Sequence, residues 1–191
     1  MKKYTIAVVG DAFVDPNSEK YELAEKLGKA LIDNGYRIVC GGLGGVMEAV
    51  SKGAFQSEYK EKGDVIGILP GFDKSSNEYI DISFSTGLDV IRNTIVANSD
   101  AVIAIGGGAG TLSEMAFAWT FHRLVIAYRI DGWSGKLADS KIDGRIRYPD
   151  IPDDRVYAVD NEIDSINFLS KLLPKYCRVY DGIKQSTRNN Q

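Results

Sequence analysis

The apolar run Ala101 to Ile105 leads without a break into Gly106-Gly107-Gly108-Ala109-Gly110-Thr111, and a helical pattern takes over from Leu112 to Phe121. Five consecutive apolar residues suit a strand covered on both faces, as in a parallel sheet. Glycines let a ligand approach the backbone, and the N–H groups and dipole of the following helix attract negative charge. Thr111 is placed to cap that helix, with Glu114 three residues on at capping-box spacing. The arrangement occurs twice. Tyr36 to Cys40 reads as a strand, Gly41-Gly42-Leu43-Gly44-Gly45 follows, and a helix starts at Val46 and runs to about Tyr59. One glycine cluster is commonly just a turn. Two, each closing a strand and opening a helix, point to a phosphate-like oxyanion held between them.

The rest of the chain alternates in the same way. Lys3 to Gly10 reads as a strand with the continuous apolar run Ile6 to Val9, and Asn17 or Ser18 caps a helix carrying Leu23, Ala24, Leu27, Ala30 and Leu31 at three-and-four spacing. Asn34-Gly35 stops it. Gly63 to Leu69 is a third strand, and a short strand at Tyr79 to Ile82 is expected in the polar loop that follows. Leu88 to Asn98 reads as a helix with Ile91, Ile95 and Val96 inward. Leu124 to Tyr128 and Val156 to Val159 are further strands, the latter followed by a helix capped by Asp160 and ended by Pro174. Residues 129–154 are irregular and are candidates to cover the site. This alternation predicts an α/β fold: a doubly wound, Rossmann-like, mostly parallel sheet with helices on both faces. Its ligand site belongs at the carboxyl ends of the strands, where the strand order reverses. One domain is expected over residues 1–175, with a partly disordered tail from 176 to 191.

Composition narrows the function classes. The net charge of -3 comes without a basic block, so no nucleic-acid partner is indicated. No run is long enough for a membrane span, and cytoplasm is the expected location. Cys40 and Cys177 have no CxxC spacing and His122 is the single histidine, so no metal site is expected. Strand one is followed by Gly10-Asp11-Ala12 rather than G-x-G-x-x-G, and no G-x-x-x-x-G-K-[ST] element exists. A mononucleotide or smaller phosphate ester fits better than NAD or ATP.

The candidate ligand-binding residues are Gly10, Gly41, Gly42, Gly44, Gly45, Met47, Asn93, Gly106, Gly107, Gly108, Gly110 and Thr111. Arg92 and Glu114 are the candidates for chemistry: an arginine to clamp phosphate or polarise a sugar oxygen, and a carboxylate one helical turn from the bound phosphate. Each also has a plain alternative, Arg92 as a partner of Asp89 and Glu114 as a capping residue. Asp11 and Glu48 stand beside the glycine turns, where solvated loop carboxylates are common. Trp119, Phe121 and His122 are expected to pack rather than act on a ligand.

Gly107 to Glu114 resembles the GGxGTxxE core of the LOG family, the cytokinin-activating phosphoribohydrolases. Gly41 to Met47, Val65 to Pro70 and Arg92-Asn93 match that family in order as well. A finer resemblance, carried by Gly41 to Ala49, Arg92 to Ile95 and Gly132-Trp133-Ser134-Gly135, is to the molybdenum-cofactor carrier proteins. Gly106 stands in place of the LOG proline, Asn93 in place of the lysine after the arginine, and Glu48 where the enzymes tend to have glycine. The phosphate-cradling half is therefore intact and the catalytic half altered. The resemblance implies a ligand that is a nucleoside monophosphate, phosphate or a molybdopterin-type compound, with no cofactor required. It also implies homodimers or homotetramers built through helices beside the site. Two activities follow from it: a binding protein or carrier, and alternatively a nucleoside 5′-monophosphate phosphoribohydrolase acting through Arg92 and Glu114. Lysine decarboxylation is not implied, because nothing marks a pyridoxal-phosphate lysine.

Overall fold

The computed structural model describes residues 3–180 and 182. Its centre is β1 (Thr5–Gly10), all but completely apolar and paired in parallel on both sides. On one side lie β2 (Arg37–Cys40), β3 (Val65–Leu69) and β4 (Ile82–Ser85); on the other lie β5 (Ala101–Ile105), β6 (Leu124–Tyr128) and β7 (Tyr157–Val159). The order is β4-β3-β2-β1-β5-β6-β7, and every pair is parallel. Chain direction across the sheet reverses between β1 and β5, so the carboxyl ends of those two strands flank the crevice of a doubly wound sheet.

Alternation along each strand divides the core in two. Ile6, Val8, Ile38, Ile103 and Ile126 face one side and meet helices α1 (Glu19–Asp33), α2 (Val46–Phe55) and α6 (Glu162–Leu172). Ala7, Val9, Val39, Val102 and Ala127 face the other and meet α3 (Asn93–Ala97), α4 (Ala109–Thr120) and α5 (Trp133–Leu137). The α/β sheet with helices on both faces expected from the alternation is the observed fold.

Local chemistry sets the boundaries. Ser18 caps α1 by accepting the Tyr21 N–H. Gly35, at φ 77°, closes α1, with the Gly35 and Tyr36 N–H groups donated back to Ile32 and Leu31. His122 plays the same part after α4 at φ 62°, and the Arg123 N–H reaches the Ala118 carbonyl. Its ring packs edge-on against Tyr148, so His122 is a packing residue. Trp119 is likewise fully buried, with its indole N–H on Asp143 and the Arg147 guanidinium 3.6 Å above its ring. Arg147 pairs with Asp154, and Asp154 accepts a 2.6 Å bond from Tyr176. This buried network pins the irregular segment to the sheet, and it carries the packed chain past residue 175 through Tyr176.

Several expectations give way. Helix α2 stops at Phe55, four residues before Tyr59. The short strand lies at Ile82–Ser85 rather than Tyr79 to Ile82, because Asp81 spends its carboxylate on the Val65 N–H and Lys60. Asn161, not Asp160, caps α6 through the Asp164 N–H. Leu88 to Asn98 is not one helix: a 3₁₀ turn over Asp89–Arg92 precedes α3. Three residues per turn rotate the pattern, so Arg92, Asn93 and Val96 face inward while Ile91 and Ile95 point out. The polar stretch 185–191 lies outside the described residues.

Candidate functional site

A cleft of about 270 Å³ opens at the switch between β1 and β5. Strand β1 supplies Val8, Val9 and Gly10; the β2 turn supplies Gly41 and Leu43; α2 supplies Met47. Arg92 and Asn93 enter from the 3₁₀–α3 segment, and Gly110, Thr111 and Glu114 enter from α4. Eight of the fourteen predicted site residues therefore line one space: Gly10, Gly41, Met47, Arg92, Asn93, Gly110, Thr111 and Glu114. Gly44 and Gly45 line an adjoining groove. Gly42, Gly106, Gly107 and Gly108 line neither.

Arg92 and Glu114 are both buried and meet through a single long contact, Nη1 to Oε1 at 3.4 Å. The Arg92 Nε is buried and has no partner among the described residues. Burial pushes the Glu114 carboxyl up to about 7, against the opposing pull of the Arg92 charge. A carboxyl in that range exchanges a proton near neutrality. Gly41 makes room for the arginine, since a Cβ there would lie 2.6 Å from its Nη2. Asn93 spends its amide on the Ser113 hydroxyl at 2.9 Å, which fixes α3 against the first turn of α4.

The glycine amides do not act as one group. Gly108, not Thr111, is the N-cap of α4, and no side chain caps that helix. Thr111 sits in the first turn with its methyl and hydroxyl against Gly107, where a Cβ would approach within 2.5 Å. The capping box with Glu114 therefore does not form, because the helix begins two residues before Thr111. The Gly106 N–H is already donated to Ser134 Oγ and the Gly107 N–H to Asp11 Oδ2. What remains open is the helix mouth: the N–H groups of Ala109, Gly110 and Thr111 precede the first intrahelical bond, which Leu112 makes to Gly108. At Gly108 a Cβ would meet nothing within 4 Å, and at Gly110 only the Asn93 amide at 3.9 Å. No neighbouring atom crowds either glycine.

Asp11 is not the solvated loop carboxylate that its sequence position suggests. Its carboxylate holds the Gly107 N–H and Lys20 Nζ at 3.0 and 2.7 Å, and its carbonyl accepts the Val46 N–H at 2.9 Å. One residue at the end of β1 thus ties together the start of α2 and the turn before α4. Its position straight after the central strand places it near the site but does not by itself show these bonds. The irregular segment does not cover the cleft. Instead Trp133 and Ser134 donate to the Gly107 and Gly106 carbonyls, bracing the β5 turn from behind. Among the described residues no group of three or more His, Cys, Asp or Glu side chains is placed to hold a metal, and no helix is long and apolar enough to cross a membrane.

Known proteins share this architecture. An uncharacterised protein of Archaeoglobus fulgidus is 42% identical over 120 residues, 62% of this chain and 75% of its own. The molybdenum cofactor binding protein of Rippkaea orientalis superposes with a TM-score of 0.71 at 31% identity, covering 89% of this chain and 97% of that one. The molybdenum cofactor carrier protein of Chlamydomonas reinhardtii does so at 0.72 and 26% identity, covering 91% and 99%. The model of the SLOG cluster4 family matches residues 3–149, and the chain belongs to that family.

Proposed function

We propose that this protein binds a small phosphate- or oxyanion-bearing ligand in the β1/β5 cleft, a nucleoside monophosphate or a molybdopterin-type compound, and holds it as a carrier does. The observation that carries this reading is the open mouth of α4 beside Arg92. Gly110 sits in the first turn of a helix, where alanine would be favoured by about 0.5–1 kcal/mol. The protein's own packing does not require glycine there. Its absent side chain leaves the helix mouth uncrowded, where three first-turn amides have no intrahelical acceptor, next to a guanidinium with an unused donor. The cofactor-binding relatives support a pterin ligand, and no resident cofactor is needed by the reading.

Calorimetric titration of the wild type and Gly110→Ala with AMP and inorganic phosphate tests it. Wild type binds; Gly110→Ala binds about tenfold more weakly while its melting temperature stays level or rises. Equal affinity in both proteins, or none in either, overturns the reading.

The raised Glu114 carboxyl beside Arg92 favours a second reading, hydrolysis of the N-glycosidic bond of a nucleoside 5′-monophosphate. Here Glu114 would act as proton donor and Arg92 as phosphate or sugar clamp. Release of free adenine and ribose 5-phosphate from AMP, abolished in Glu114→Ala, establishes this activity; tight binding without release eliminates it. In either case we propose a homo-oligomer, in which the outward apolar side chains of the 3₁₀–α3 segment meet a second copy.

A further inference from the structure

A second concavity adjoins the cleft and shares Ala12 and Leu43 with it. It lies between the β1–α1 loop and the start of α2, and its other lining residues are Phe13, Val14, Asp15, Gly44, Gly45 and Glu48. Its chemistry differs from that of the cleft. Asp15 and Glu48 are its only charged residues, and both are carboxylates, whereas the cleft sets Arg92 and the α4 amides beside its own carboxylates, Asp89 and Glu114.

Three features show a built surface. The loop is held at both ends: Asp11 binds Gly107 and Lys20, and Asp15 accepts the Asn17 and Ser18 N–H groups. Gly44 and Gly45 present flat backbone, with Gly45 packed so closely on Asp11 and Ala12 that a Cβ would fall 2.3 Å from the Asp11 carbonyl oxygen. Glu48 has one long bond, accepted from the Tyr21 hydroxyl at 3.4 Å, and no basic partner among the described residues. Burial and the Glu48 charge push the Tyr21 phenol up to about 12, so it stays protonated and donates. Beside these stands Phe13, 96% exposed, with a ring face that the fold leaves unused. A carboxylate only accepts hydrogen bonds, and an exposed ring adds stacking with any planar π system.

We propose that this groove is the second half of an elongated site and takes a flat 2-amino-4-oxo heterocycle of the guanine or pterin type, its N–H edge on the Glu48 carboxylate and its face on Phe13. The inference rests on the cleft holding the phosphate end of the same ligand. The two concavities orient that ligand by polarity: oxyanion toward Arg92 and the α4 amides, donor edge toward Glu48. A heterocycle without the exocyclic amine offers Glu48 one donor instead of two and loses the paired, charge-assisted contact.

The test compares GMP, IMP and ribose 5-phosphate on the full chain by calorimetry. IMP differs from GMP only by the missing 2-amino group. Wild type is expected to bind GMP at least about tenfold more tightly than IMP. In Glu48→Gln the ratio of the two affinities falls to near one. Phe13→Ala, a change at an exposed side chain, weakens both nucleotides about tenfold through lost stacking. Equal binding of GMP and IMP by the wild type, or a ratio that survives in Glu48→Gln, overturns the groove assignment; if ribose 5-phosphate still binds, the cleft reading stands. Failure of all three ligands to bind overturns both.

Discussion

Glu114 places two demands on one side chain. Its carboxylate faces the Arg92 charge, yet burial outweighs that attraction and raises its proton affinity from the usual 4.5 to about 7. The folded state therefore holds the proton more tightly than the unfolded chain does. Below pH 4.5 the group is protonated in both states and costs nothing. As pH rises from 4.5 through 7, folding becomes progressively less favourable, by about 3 kcal/mol once Glu114 is ionised. Urea unfolding between pH 4.5 and 8 is expected to show that decline, superimposed on other titrations. Glu114→Gln keeps the shape and removes the titration, so the difference between the two curves isolates the effect. A difference that stays flat across the range would mean that water or a ligand solvates Glu114 better than the packing indicates. That Arg92 and Glu114 belong to one site was legible from sequence, since an arginine ahead of the strand and a glutamate one turn into its helix converge on one cleft; their direct contact was not, because Asp89 was the nearer partner in the chain. The role of Asp11 was not, because a carboxylate after a strand looks the same whether solvated or bonded to three elements.

Helices α1 and α2 cross with almost no side chain between them. A Cβ on Gly53 would lie 1.8 Å from the Glu25 carbonyl oxygen, and one on Gly28 would lie 2.0 Å from that of Val50. Two effects compete when Gly53 becomes alanine. Helix propensity favours alanine by about 0.5–1 kcal/mol, whereas overpacking against rigid backbone costs about 1–3 kcal/mol or more. Contact with backbone leaves no rotamer to relax, so the clash wins. Gly53→Ala is expected to lower the unfolding free energy by about 2 kcal/mol, visible as a fall of several degrees in melting temperature; an unchanged or raised value refutes the close crossing. Strands β1, β5 and β6 were readable because burial on both faces leaves an unbroken apolar run. Edge strand β4 was misplaced because its exposure alternates and Ile80 and Asp81 just before it mimic the pattern. The 3₁₀ turn was missed because three-residue and 3.6-residue periods scarcely differ over one turn.

Across the whole molecule exposed apolar residues are scattered, but four of them lie together beside the cleft. Leu88, Val90, Ile91 and Ile95 follow one another on the 3₁₀–α3 segment, all well exposed, while their polar neighbours Arg92 and Asn93 are buried. That inversion runs against the usual preference of isoleucine for the interior. It has a cause: the segment must turn Arg92 and Asn93 toward the cleft, and the phase of the 3₁₀ turn then throws the aliphatic residues outward. Half-exposed aliphatic side chains gain about 1 kcal/mol each when buried, so four together, doubled by a two-fold axis, make self-association favourable. A second copy of the chain suits the patch because a two-fold pairing covers the same side chains on both partners. Light scattering of the wild type at micromolar concentration is expected to give a multiple of the chain mass. Ile91→Glu combined with Ile95→Glu places four carboxylates in that contact without altering any residue that lines the cleft, and the mass is expected to fall to that of one chain. The double variant should retain its far-ultraviolet circular dichroism, since both side chains already face outward. A monomeric wild type, or a double variant that keeps its assembly, would show that these aliphatics are surface residues and that any association uses another face.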